Sequence, residues 1–254
     1  MGAGHSHALY IHEHTAIHLM PAEVKITAAA LFVVAVASTP REAVWAFGAH
    51  ALILGATAVI GRAPPRFVAA RLLTVLPFVL FAFLIPFAAS GERIEILGAA
   101  VSREGVWGAW NIIAKAMLGA GSAILLAATT EVPDILRGMA RLKAPATLTA
   151  IAGFMIRYLE VVAGELARMR TAMTARAYNP RRRRQAKPIA ASAGALFMRS
   201  YERGERAYAA MLARGYTGAM PDLGHRSAAP ADWLKALPFP ALAAAASVAA
   251  RVVS

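Results

Sequence analysis

The chain has 254 residues, 58% hydrophobic and only 16% charged, and its mean hydropathy of +0.52 lies outside the range of ordinary water-soluble domains. Its 27 Lys and Arg against 14 Asp and Glu give a net charge of +13. That balance raises nucleic-acid binding, but the positive residues lie beside long apolar runs, where membrane orientation and contact with anionic lipid headgroups explain them. The absence of cysteine excludes disulfides, thiolate metal sites and thiol nucleophiles.

Residues 1–25 read as a cytoplasmic N-terminal segment, polar and without the basic start and apolar centre of a cleavable signal. Five of the seven histidines, His5, His7, His12, His14 and His18, crowd this stretch, and imidazole suits cobalt or nickel. Glu13 is the only carboxylate close to them, and a chain end rarely orders a site. A solvated segment is therefore expected, with weak metal capture by His5, His7, His12 and His14 as the alternative.

Apolar runs follow at 26–38, 44–60, 67–89 and 105–128, within a membrane region 26–130, and at 233–253, within a last segment 231–254. Most approach the roughly 20 residues a bilayer helix needs, so about five transmembrane helices are expected. The first run is short and Pro40 separates it from the second, so this pair reads as two crossings or as a tilted, shallow hairpin. Arg62, Arg66 and Arg71 follow the second run, whereas the loop 90–104 mixes acids and bases, which puts the former inside and the latter outside. The N-terminus is then cytoplasmic and Ser254 outside. Lys115 lies near the middle of the fourth run, one turn after Asn111. A charge at that depth costs around 2.5–3.5 kcal/mol, so it needs a partner, either another subunit or a local backbone carbonyl.

Between the fourth and last runs lies an insert, 131–230, with 17 basic and 7 acidic residues, as a cytoplasmic segment should have. Pro133 opens a short helix and Pro145 a longer one. In the longer helix Leu148, Ile151, Met155, Leu159, Val162, Leu166 and Met169 recur at three- and four-residue steps, with Arg157, Glu160, Arg168 and Arg170 mainly between them. It should end near Arg176, before Asn179-Pro180. A third helix is expected from about Ile189 to Arg214, with Glu202 and Arg206 one turn apart and Gly215 closing it. The basic run Arg181 to Arg184 has no interleaved aromatics for base stacking and suits anionic lipid or an acidic protein surface. No glycine-rich phosphate loop or nucleophile elbow occurs in the sequence. The fold class is thus an all-α integral membrane protein with a cytoplasmic insert of amphipathic helices.

Ala175-Arg176-Ala177 and Ala213-Arg214-Gly215 fall at the ends of the two long insert helices. An arginine in a last helical turn suits the helix dipole, and its planar fork can pair bidentately with a carboxylate on another protein. In a chain this rich in Ala and Arg, such a tripeptide also arises by composition alone.

The layout resembles the transmembrane T subunit of energy-coupling factor (ECF) transporters, in particular the cobalt-type CbiQ family, in which two Ala-Arg-Gly motifs end cytoplasmic coupling helices. His18-Leu19-Met20-Pro21-Ala22-Glu23-Val24-Lys25 looks like the family's leading motif of Leu-Asp-Pro-Arg-x-Lys type. Thr129-Thr130, Pro133, Leu142 and Pro145 resemble the approach to the coupling helices, and Arg157-Tyr158 matches within the second of them. Ala177 in place of glycine, and Met20 and Glu23, depart from the pattern. The resemblance implies a non-enzymatic subunit in a bacterial inner membrane that binds no cofactor. Its expected partners are a CbiO-like ABC-type ATPase dimer, which uses ATP and Mg, a CbiM-like substrate-binding membrane subunit and a small CbiN-like subunit. Arg176 and Arg214 would couple to the ATPases, while Asn111, Lys115, Arg157, Pro21 and Lys25 would serve intersubunit or structural contacts. The implied cargo is cobalt, with nickel or a vitamin as alternatives. A self-sufficient secondary transporter or channel is the other class, against which stand the absence of a clear internal repeat in the membrane part and the single central charge there.

Overall fold

Proline and glycine punctuation divides the apolar runs into helices close to where the sequence places them. The computed structural model describes residues 10, 11, 13, 15–89, 93–96, 99–176, 178, 186–218 and 227–253. It divides into two compact units, one of Leu9–Gly138 with Arg226–Ser254, the other containing Met139–His225.

In the first unit, α1 (Ala22–Ser38) starts after Pro21 and α2 (Val44–Ile60) follows a short turn. The third apolar run is broken: α3 (Pro65–Leu72), a 3-10 turn (Leu73–Val75), α4 (Leu76–Ala82) and α5 (Ile85–Ala88), with a 55° bend between its halves. Pro77 and Pro86 each remove a helical N–H donor there. A small antiparallel ladder pairs β1 (Arg93–Ile96) with β2 (Ala99–Ser102), Arg93 opposite Ser102, where the sequence suggests a plain loop. Then α6 (Arg103–Thr129) begins on Ser102, whose Oγ accepts the Gly105 amide N–H at 3.4 Å. α7 (Val132–Arg141) contains Pro133 in its first turn. The last apolar run is α10 (Pro230–Ala236) and α11 (Pro238–Val253), bent by 42° at Pro238.

The core joins α1, α2, α6 and α11 through Phe32, Val36, Phe47, Leu118 and Ala243, and Phe32 stacks on Phe239 at 4.8 Å. Polar contacts sort the helix ends. At one end Glu13 meets Arg62 at 3.7 Å, and Lys25 Nζ donates to the Thr129 carbonyl at 2.7 Å. At the other, Arg41 meets Glu104 at 2.9 Å, and Arg251 donates to the Ser38 carbonyl at 2.9 Å. The helical segments therefore run alternately between two polar ends.

The second unit contains α8 (Ala146–Ala175) and α9 (Ala186–Ala213). Pro145 sits at the N-cap of α8 rather than inside it. α9 starts three residues before the expected Ile189, because Pro188 fits within a first helical turn. Arg206 and Glu202 lie 3.7 Å apart, as their spacing predicts. Among the described residues, α6 and α8 can each cross a membrane by length and composition, and up to four segments can if each bent pair is one span; α2 is a shorter apolar helix. The expected all-α membrane class is what the helices form, with the β1–β2 ladder as a minor addition.

Candidate functional site

The two insert helices close by one local mechanism. In α9 the Gly215 N–H bonds to the Leu212 carbonyl and the Tyr216 N–H to the Met211 carbonyl, both at 3.0 Å, with Gly215 at φ +82°. This is the paired closure that a left-handed glycine permits after a helix. In α8 the Tyr178 N–H bonds back to the Met173 carbonyl at 3.0 Å, the same six-residue closure. Arg176 and Arg214 occupy equivalent positions, both exposed, and neither guanidinium pairs with a side chain among the described residues. Ala177 itself lies outside the described residues. The sequence signal that finds the whole device is Ala-Met-x-Ala-Arg-x-Tyr, present at 172–178 and again at 210–216; the tripeptides are its centre, and the Met and Tyr positions are easily missed.

The same unit sets the spacing of the arginines. Ser192 Oγ lies 3.4 Å from Met173 Sδ, and Glu165 is held by Arg168 on its own helix and by Arg199 of α9. The last turn of α8 thus lies beside the second turn of α9. Arg176 and Arg214 fall toward opposite ends of α9, which at 28 residues is about 42 Å long. They are not brought together and cannot share one binding groove. Arg157 is exposed on α8, and Tyr158 is half-buried and stacks on Phe154 at 6.3 Å.

In the bundle, Lys115 finds the local solution. Its Nζ donates to the Ala37 carbonyl at 2.8 Å, at the end of α1. The last four carbonyls of a helix lack partners within it, and here each has a donor from elsewhere. Ala35 O accepts from Ser38, Thr39 and Ser247 hydroxyls, Val36 O from the Thr39 amide, Ala37 O from Lys115 and Ser38 O from Arg251. Two cations at this C-terminus also offset the negative end of the helix dipole. Behind them His50 Nε2 lies 3.1 Å from Thr39 Oγ1 and 3.3 Å from Ser247 Oγ, fully buried. Arg251, His50 and Ser247 were not legible as a group, since nothing local links residues about 200 positions apart. Asn111 Oδ1, one turn from Lys115, is enclosed and has no hydrogen-bond partner among the described residues.

At the opposite end of α1, Pro21 is the N-cap and Lys25 caps the α6 C-terminus. His18 Nδ1 lies 2.8 Å from Thr15 Oγ1, and burial, then the Lys25 ammonium, push its imidazole below the ordinary histidine value. His5, His7, His12 and His14, and the run Arg181 to Arg184, lie outside the described residues.

Residues 13–224 match the family model described as cobalt transport protein, CbiQ. Over 182 residues the chain is 31% identical to the cobalt transport protein CbiQ of Rhodobacter capsulatus, spanning 70% of this chain and 71% of that protein. It is also 27% identical over 146 residues to an uncharacterised protein of Methanocaldococcus jannaschii, spanning 57% and 54% of the two chains.

Proposed function

Since the chain belongs to the CbiQ family of cobalt transport proteins, we propose that it is the energy-coupling membrane subunit of an ATP-driven, ECF-type importer of cobalt ions. Two ATPase subunits each receive one helix end, Arg176 on one and Arg214 on the other. As they close and separate, the insert helices move, and the motion passes to a substrate-binding membrane subunit. ATP and Mg are bound and used by the partner.

The observation that carries this reading is the duplicated helix end. Two helices close with the same backbone bond and present, at the same position, an exposed arginine that pairs with no side chain among the described residues. Their separation along α9 suits two receptor grooves rather than one. A guanidinium fork matches a carboxylate bidentately, and the small residues beside it, Ala175, Ala213 and Gly215, leave that approach open. An exposed ion pair contributes only about 0–1 kcal/mol. Breaking a desolvated one costs about 3–5 kcal/mol, so each arginine has to be enclosed by its receptor.

The bundle end that holds Lys25 and Arg62, with the basic insert, faces the cytoplasm of a bacterial inner membrane, following the positive-inside bias. Although α8 is long and apolar enough to span, it carries Arg157, Glu160, Glu165, Arg168 and Arg170. Each charge at mid-bilayer costs around 2.5–3.5 kcal/mol, which favours the aqueous side for this helix. Affinity purification in mild detergent tests the reading. An ABC-type ATPase and a small membrane binding protein are expected with the wild-type chain, and the ATPase is lost with Arg214→Glu. Purification free of any ATPase counts against it.

A further inference from the structure

The coupling unit is joined to the membrane bundle by the chain leaving after Gly138 and returning at residue 226, and both connections are held by the same helical turn. On the way out, α7 lies so close to α1 that a Cβ on Gly138 would come 2.9 Å from the Glu23 nitrogen and 3.0 Å from the Ala22 carbonyl carbon. On the way back, the Ala228 N–H donates to Glu23 Oε1 at 2.8 Å. Glu23 is 5% exposed, and a carboxylate this buried persists only where its oxygens are hydrogen-bonded. One turn contains the rest of the clamp: Lys25, 9% exposed, bonds to the carbonyl of Thr129, the last residue of α6 and three before α7 begins. All these residues belong to the bundle.

We propose that this first turn of α1, with Glu23 as its positioning residue, is the junction through which movement of the coupling unit enters the membrane helices; this rests on the coupling role proposed above. A displacement carried along the chain from the insert arrives at Gly138 and at Ala228. Each is fixed to Ala22–Glu23 by a close backbone contact or a part-buried hydrogen bond, and close-packed interiors pass strain on rather than absorb it. α1 then carries the movement into the core, where Phe32 and Val36 pack against α2, α6 and α11. Glu23 holds Ala228 through a carboxylate oxygen acting as acceptor.

The test uses the assembled complex with its ATPase and binding subunit, reconstituted in liposomes, with cobalt(II) uptake measured per ATP hydrolysed. Glu23→Ala removes the acceptor, Glu23→Gln keeps one, and Gly138→Ala forces α7 off α1. Glu23→Ala and Gly138→Ala are expected to retain the ATPase while uptake per ATP falls about tenfold, within the range of allosteric coupling factors. Glu23→Gln, which keeps an acceptor, is expected to lose less uptake per ATP than Glu23→Ala. Unchanged uptake per ATP in the first two overturns the junction, as does a Gln variant no better than Ala, or loss of the ATPase from the Glu23→Ala complex. A wild-type chain that recruits no ATPase sinks the coupling role instead, so the two failures are distinguishable.

Discussion

The bundle and the insert unit differ in what they bury. At the end of α1 all four terminal carbonyls have donors, two of them Lys115 and Arg251, and Phe32, Val36 and His50 are almost wholly buried. In the coupling unit no residue of α8 is buried, and Leu148, Ile151, Met155 and Leu159 lie exposed along one helical stripe. A contiguous apolar face left open marks a surface that other molecules complete. The bundle, although it also exposes Leu52, Val59 and Val252, holds a core of its own; on the coupling role proposed above, the open face of α8 is one that a partner covers. Substitutions in the first should therefore change stability, and in the second assembly.

The largest expected effect belongs to the coupling arginines. Arg214→Glu should abolish recovery of the ATPase, and Arg176→Glu should do likewise, each costing about 3–5 kcal/mol of assembly energy if the pair is enclosed, with the melting temperature of the isolated chain unchanged. Lys115→Met is the converse. Leaving the Ala37 carbonyl without its donor should cost about 1–3 kcal/mol, read as a lower melting temperature in detergent, while ATPase binding per folded molecule stays the same. Gly215→Ala forces a side chain into the left-handed region at φ +82°, a strain of about 1–2 kcal/mol; ATPase affinity should fall without loss of folding. Smallest is the effect of pH. Because burial and Lys25 depress the His18 value in the folded state, its neutral form is favoured there. That stability is present above the ordinary histidine pKa and is lost as pH falls from it through the depressed folded value. His18 is partly exposed, so screening keeps the loss below about 1 kcal/mol. A melting temperature that drops between roughly pH 7.5 and pH 5.5 in wild type, and less so in His18→Gln, checks it.

How much was legible follows from how local each signal is. α2 at 44–60 and the ends of α8 and α9 near Arg176 and Arg214 are written in adjacent residues, apolar runs bounded by proline, glycine or charge. So is the pairing of Glu202 with Arg206. The Lys115 partner was legible only as a kind, a backbone carbonyl; which carbonyl depends on the crossing of α6 with α1. The contacts of Ser247 with Thr39 and His50, and of Glu23 with Ala228, join residues separated by about 200 positions, and no periodicity encodes such a meeting. The third apolar run, read as one segment at 67–89, is broken at Pro77 and Pro86; hydropathy does not register the N–H that each proline removes.

On the coupling role proposed above, exposed arginines ending two insert helices bind a nucleotide-driven partner whose movement drives cobalt across the bilayer. Cobalt(II) uptake into liposomes holding this chain and its binding subunit, with and without the ATPase and ATP, tests it most directly. Uptake is expected only when ATPase and ATP are both present, and it should be lost on Arg214→Glu. Accumulation of cobalt(II) by this chain alone would contradict it.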